Sequence, residues 1–504
     1  MGVEMALIGI DPASTVRGVS PTSLTFILLA AALSPLLWIE TPAMVDYVNH
    51  LARMHLLASD SPHSGYDVVW QFNPNLAMDL IVPFLARWMP VDVAARLFLA
   101  AAQILIVSGA VALERSVKGQ HSFAGLCALS VLFSLPFAWG LTNFTFAIGL
   151  CLWGLAIWIG MRERPLLVRW AVHACVVLAL FVSHFFALGL YGLIVGLMEL
   201  PHIVSGRISW KEAGKLTVLL ASPVAVLLAM MAMTGGTIGG AGQDWDFGLK
   251  LLWFPRFMNA YDATLSLVTG VVAIGLIFWL VAYRRLRLSE EGVWIALGLA
   301  LLYLVLPRRL FDVAFLDIRV LAAAALVLPA FTLLKPSRIA AAILVGLAVV
   351  NGTSTLVAWS DRQSDYAEFR ASFALLEPGT AVLSALHEDS GMADQSLYYA
   401  PTLAASEAGV FVASLYSAGG MQPISASAPF QDLKVEQSLD YLPVPLADLL
   451  GDAPPRHAAN WMKRYRYVYV IGTPRESPLA GVLVEIARGE RFTLYRVTPK
   501  DKPA

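Results

Sequence analysis

Three side chains able to do proton or anion chemistry lie close together early in the chain. They are Asp46, His50 and Arg53, in the run Asp-Tyr-Val-Asn-His-Leu-Ala-Arg. Read as a helix over 43–59, they fall at i, i+4 and i+7 and share one face. A carboxylate, an imidazole and a guanidinium so placed could accept a proton, share a hydrogen bond and bind an anion. The same spacing also suits an interfacial amphipathic helix with a solvated polar face. Val45, Val48, Leu51 and Leu56 would give that helix a stripe toward a membrane.

Further polar residues stand between apolar runs. Glu40 opens the segment that carries Asp46, and Gln71-Phe-Asn73-Pro-Asn75 leads to Asp79. Trp139-Gly140-Leu-Thr142-Asn143 joins two apolar runs, as does Ser183-His184. Each could line a cleft. Asparagine, proline and glycine also make ordinary turns, and a histidine at such a junction can be hydrogen-bonded locally. Gly235, Gly236, Gly239, Gly240 and Gly242 precede Asp244 and Asp246, in a loop able to order over a substrate. That Asp-x-Asp pair could offer oxygens to a divalent cation, although acidic pairs in solvated loops arise readily by chance. Arg308, Arg309 and Arg319 could hold phosphate through paired hydrogen bonds, or could pair with Asp312 and Asp317. Gly472–Arg475 is too short for a phosphate loop.

The elements that position these groups follow from composition. The 504 residues are 58% hydrophobic and only 14% charged, where a soluble chain would carry roughly 25% charge; mean hydropathy is +0.67. Eleven apolar runs are long enough to suggest spans, near 22–39, 92–113, 122–138, 143–161, 169–183, 185–200, 216–233, 267–283, 291–306, 319–334 and 337–357. Arg17 before the first run resembles a signal-peptide start, but with ten runs to follow an uncleaved helix is expected. The stretch 76–89 contains Asp79, Pro83 and Arg87 and suits a re-entrant or interfacial segment.

Charge sets the expected orientation. With 76–89 not crossing, Arg115, Lys118, Arg162, Arg164, Arg169, Arg207, Lys211, Lys215, Arg284, Arg285, Arg287, Lys335 and Arg338 all face the cytoplasm. Only Lys250, Arg256, Arg308 and Arg309 face outward among the same loops. The positive-inside rule then gives an N-in, C-out polytopic bundle. Beyond residue 358 the composition turns polar. A helix over 364–376, carrying Tyr366, Phe369 and Phe373, and strands over 380–386, 410–415, 465–471 and 492–497 predict an outer α/β domain at 359–504. In the third strand Tyr465, Tyr467 and Tyr469 would form an aromatic face. Net charge −1 gives no sign of nucleic acid, and Cys127, Cys151 and Cys175 all lie in apolar runs, against a disulfide framework.

This arrangement resembles the GT-C superfamily, membrane glycosyltransferases that use polyprenyl-phosphate-linked sugars. The matching features are a first helix, then an outer loop (40–91) bearing Asp46-Tyr-Val-Asn-His50-Leu-Ala-Arg53, a later Asp317-Ile-Arg319, and an outer C-terminal domain. The resemblance implies a transmembrane domain over 1–358 in a bacterial inner membrane, acting on a lipid-linked sugar and a glycan, lipid or protein acceptor. It implies Asp46 as base, assisted by His50. Arg308, Arg309 and Arg319 would take the donor phosphate, and Glu40, Arg53, Asn73, Asn143, His184 and Asp317 would line the cleft. In metal-dependent relatives a second outer loop carries acids, but Trp139 to Asn143 holds none. That leaves Asp244 and Asp246 as the candidate ligands for Mg or Mn. A multi-pass transporter or flippase of lipid-linked substrates is the alternative reading.

Overall fold

A run of about twenty apolar side chains in lipid leaves its backbone N–H and C=O groups one local solution, the α-helix. The computed structural model describes residues 21–59, 65–120, 123–235, 243–311, 313–334, 337–388, 390, 392–417, 422–435, 441–451, 454–473 and 477–498. Arg17, Gly236, Gly239, Gly240, Gly242, Asp312, Lys335 and Arg475 lie outside them. Among the described residues seven helices are long and apolar enough to cross a membrane. They are Val91–Lys118, Thr142–Gly160, Leu166–Ser183, Phe185–Val204, Trp210–Met233, Ala263–Ala282 and the helix that starts at Arg338. They mark an integral membrane protein. Val218, Phe278 and Leu301 stand exposed on the bundle exterior, as side chains facing lipid do.

Seven of the eleven expected spans are helices of this kind among the described residues, and the other four are shorter or interrupted for local reasons. The first run breaks at Pro35, into Pro21–Leu33 and Pro35–Trp38. The run 122–138 divides into Ala124–Ser130 and Leu135–Ala138, with Ser134 and Pro136 at the join. Glu290–Val305 has 16 residues. Leu316–Val327 tightens into a 3-10 turn, Leu328–Phe331, around Pro329. Within 76–89, Ala77–Leu85 is a nine-residue helix, about 14 Å long, and does not span.

The bundle centres on Val91–Lys118 against Thr142–Gly160, whose apolar window is 67% buried, compared with 22% for Trp210–Met233. Glycine permits the contact. A Cβ on Gly149 would lie 2.6 Å from Leu105 Cβ and 2.9 Å from the Ile106 nitrogen, and one on Gly109 would lie 2.8 Å from Leu152 Cβ. Small residues at such crossings bring two backbones together.

The C-terminal region carries a six-stranded mixed sheet. Its main path runs Leu483–Arg488, Phe492–Val497, Tyr467–Ile471, Ala381–Leu386, Phe411–Val412, with Val444–Pro445 also pairing with Ala381–Leu386. The helix Gln363–Ser372 covers one face, where Phe369 stacks on Phe492 at 4.1 Å. Tyr366, Phe369 and Phe373 are all buried, as their spacing predicts. Two strand expectations are corrected. The strand at 410–415 is only Phe411–Val412, and Tyr467–Ile471 is buried on both faces, with Tyr465 outside it. An unexpected short strand, Tyr66–Val68, pairs with Ile424–Ala426 and sews the loop after the first apolar run to the C-terminal region.

We expect Gly149→Leu to destabilise the detergent-solubilised protein by about 1–3 kcal/mol through overpacking. Gly189→Ala, with nothing within 4 Å of its Cβ position, should melt like the native protein.

Candidate active site

The segment before Tyr47–Ala58 is pinned by its backbone. Val45 N–H donates to the Ala138 carbonyl at 3.1 Å, and Asp46 N–H donates to the Trp139 carbonyl at 3.0 Å. Gly140 makes this approach possible. It sits at φ +80, and a Cβ there would lie 2.8 Å from the Asp46 nitrogen. Asp46 is therefore fixed at the helix N-cap, not within a helix over 43–59. Its side chain does not cap the helix but accepts a hydrogen bond from the Tyr416 hydroxyl at 2.9 Å. The expected membrane-facing stripe is also corrected: Val45, Val48, Leu51 and Leu56 are all buried inside the protein. The helix is held between the bundle and the C-terminal region.

Tyr416 comes from that region, and its position is doubly fixed. Asn49 Nδ2 donates to the Ser414 carbonyl at 2.7 Å, and Tyr416 N–H donates to Asn49 Oδ1 at 2.9 Å. The Tyr416 ring meets Tyr399, Tyr441 and His50 edge-on, at 5.3, 5.0 and 5.8 Å. Burial pushes the Asp46 carboxyl up to about 7, while the Tyr416 hydrogen bond and the positive charge of Arg319 oppose that rise. A carboxyl near neutrality is matched to proton transfer.

His50 lies one turn on, with its Nδ1 3.2 Å from Arg53 Nη2. Burial and the Arg53 charge hold it well below the ordinary histidine range, with a backbone hydrogen bond at Gly140 opposing. A neutral ring engaged on both sides positions the loop more readily than it takes a proton. Arg53 is committed to Asp79 by two bonds, 2.6 Å from Nε and 3.1 Å from Nη2, both side chains being buried.

On the other side stands Arg319, in the first turn of Leu316–Val327. Its Nη1 is 2.6 Å from His184 Nε2, its Nη2 donates to the Ala314 carbonyl at 3.2 Å, and its guanidinium lies 5.3 Å from the Phe144 ring centre. Its Nε is buried and has no hydrogen-bond partner. Arg308 joins this wall through aromatic contacts. It sits 5.0 Å over Phe315, which packs on Trp139 at 4.2 Å. These contacts link Arg319 to His184 and, through Phe315 and Trp139, Arg308 to the turn that clamps Asp46.

The other candidates are used differently. Asp317 faces Lys250 at 3.7 Å and not the arginines, with both side chains buried. Lys250 also donates to the Tyr303 and Leu306 carbonyls, at 2.8 and 2.6 Å. Asn143 is structural. Its Oδ1 accepts from Met78 N–H at 2.8 Å and its Nδ2 donates to the Asn75 carbonyl, fastening Ala77–Leu85 to the bundle. Asn73 is buried in the same turn. Glu40 is mostly exposed, 3.9 Å from Arg370.

Asp246 Oδ1 caps Phe247–Trp253 by accepting from Leu249 N–H, and Asp244 pairs through its backbone with Arg309. Among the described residues no three His, Cys, Asp or Glu side chains gather to hold a metal. Of the Asp244–Asp246 pair, one carboxylate is already engaged in capping a helix. Sequence reasoning missed Tyr416, Asn49 and Lys250. Only Lys250 carried a signal, as a lone charge within Phe-Gly-Leu-Lys-Leu-Leu-Trp.

No family model and no curated protein matches the chain. Among solved structures it is similar to ArnT from Cupriavidus metallidurans in the apo state. There the TM-score is 0.51 at 11% identity, over 94% of this chain and 98% of that one. The same protein bound to undecaprenyl phosphate gives a TM-score of 0.45 at 12% identity, over 96% and 100%. The likeness to the apo structure, over nearly the whole of both chains, shows a shared fold.

The raised Asp46 value makes stability depend on pH. The folded protein holds the Asp46 proton from about pH 4 to about pH 7, where the unfolded chain has lost it. That contribution is present at low pH and lost as pH rises through about 7. Asp46→Asn should therefore melt above the native protein near pH 8 and match it only below about pH 4. Tyr416→Phe removes a bond that favours the carboxylate, so the Asp46 titration should move upward in infrared difference spectra.

Proposed function

We propose that this chain is a membrane glycosyltransferase moving a sugar from a polyprenyl-phosphate-linked donor to an acceptor hydroxyl on the extracytoplasmic side of a bacterial inner membrane. The observation that carries the reading is the pairing of Asp46, with its carboxyl near neutrality, and the buried guanidinium of Arg319, in a chain that shares the fold of ArnT. Asp46 takes the acceptor proton as the acceptor oxygen attacks the anomeric carbon. The bond from that carbon to the phosphate oxygen breaks, its electron pair stays on the phosphate, and the configuration inverts. The leaving phosphate needs charge stabilisation, not a proton. Arg319 supplies it with its unpartnered Nε–H, and Arg308 adds positive charge nearby.

His184 holds the Arg319 fork, His50 holds the loop, and Tyr416 tunes the base. No step is routed through a metal. The position of Asp46, His184 and Arg319 at helix ends argues against transport, which calls for groups near the bilayer midplane.

The test is turnover of undecaprenyl-phosphate-linked hexoses and pentoses by the purified full chain, read as released undecaprenyl phosphate. Asp46→Asn should lower the rate by about 10²–10⁴-fold while the protein still melts cooperatively. Normal turnover in that variant removes the base. Arg319→Lys should also be strongly impaired, because an ammonium cannot reproduce the fork.

A further inference from the structure

The four helix connections at the end of the bundle remote from Asp46 close around a second recess, of about 890 Å³. Lys118, Arg162, Arg284 and Arg287 line it, with Glu291 as the single carboxylate. These charges are not equally available. Lys118 Nζ is held by Glu114 at 2.9 Å and by the Pro329 carbonyl at 3.0 Å. Glu291 is 3.5 Å from His202. Arg162 gives Nη2 to Glu199 at 3.1 Å, while its Nε is buried and has no partner. Arg284 and Arg287 are exposed and, among the described residues, pair with no carboxylate.

The backbone presents this charge by design. Ala263–Ala282 ends in a turn that forces Arg284 to φ +51, a conformation L residues rarely adopt. The chain then forms Leu286–Leu288, paired with Thr332–Leu334 so that Arg287 stands opposite Leu333. That wall offers a guanidinium beside an apolar side chain that is 60% exposed. Val117, Ile159 and Met198 continue the apolar lining.

We propose that this recess binds the phosphate head group of an anionic membrane lipid, with Arg162, Arg284 and Arg287 on the phosphate and the acyl chains along the apolar wall. A phosphate diester suits guanidinium forks. A basic recess between helix ends at the bilayer boundary suits a lipid carrier of that group. The inference stands on the membrane bundle alone and is independent of glycosyl transfer.

The test is lipid-dependent thermal protection of the full chain in mixed micelles containing phosphatidylglycerol, phosphatidylcholine, or phosphatidylcholine with inorganic phosphate. Phosphatidylglycerol alone should raise the melting temperature. Arg284→Gln and Arg287→Gln should each weaken its half-saturating concentration about fivefold. Arg285→Gln removes the same charge from a side chain that lies over Trp279, outside the recess, and should leave the affinity unchanged. Equal loss in Arg285→Gln, or equal protection by phosphatidylcholine or inorganic phosphate, overturns the proposal. Melting in phosphatidylcholine reports whether each variant is folded.

Discussion

Two backbone hydrogen bonds, from Val45 to Ala138 and from Asp46 to Trp139, fix where the candidate base stands. They join a loop after the first apolar run to a turn that breaks another, and they form only because Gly140 brings no Cβ to the contact. From this clamp the rest of the site follows. The helix Tyr47–Ala58 starts at the clamp, so Asn49, His50 and Arg53 point where they do. Trp139, held in the same turn, packs on Phe315, which carries Arg308.

Buried charges in this protein are paired in kind. Arg53 meets Asp79 in a bidentate contact, Lys250 meets Asp317, and Glu199 meets Arg162. Removing one partner of such a pair costs about 3–5 kcal/mol, because a charge is left without compensation. Asp46 and Arg319 differ from these pairs. The nearest partner of Asp46 is a neutral hydroxyl, and Arg319 acts on it without an ion pair at bonding distance. Structural pairs are satisfied at rest. A carboxyl held near neutrality beside an arginine with an unused N–H has capacity left for a substrate.

The C-terminal region takes part in the site and does more than cover it. Tyr66–Val68 pairs with Ile424–Ala426, the Tyr66 hydroxyl bonds to Val412 in both directions at 2.9 Å, and Asn49 brackets 414–416. These bonds deliver the Tyr416 hydroxyl to Asp46. The electrostatics of one carboxylate therefore depend on helices near the front of the chain and on a loop about 370 residues later.

The membrane bundle, the non-spanning segment at 76–89 and the sheet-containing C-terminal region were legible in the residues alone. Hydrophobic run length, charge asymmetry and alternation are local properties that survive without knowledge of contacts. Helix length was less legible where Pro35, Pro136 and Pro329 end or tighten a run, since hydropathy averages over such breaks. What only tertiary structure decided was partnership. Arg319 goes to His184, Asp317 to Lys250 and Tyr416 to Asp46, across separations of 135, 67 and 370 positions. No spacing rule reaches that far. Each choice is fixed by which buried charge lacks water and finds a complementary group within hydrogen-bond distance.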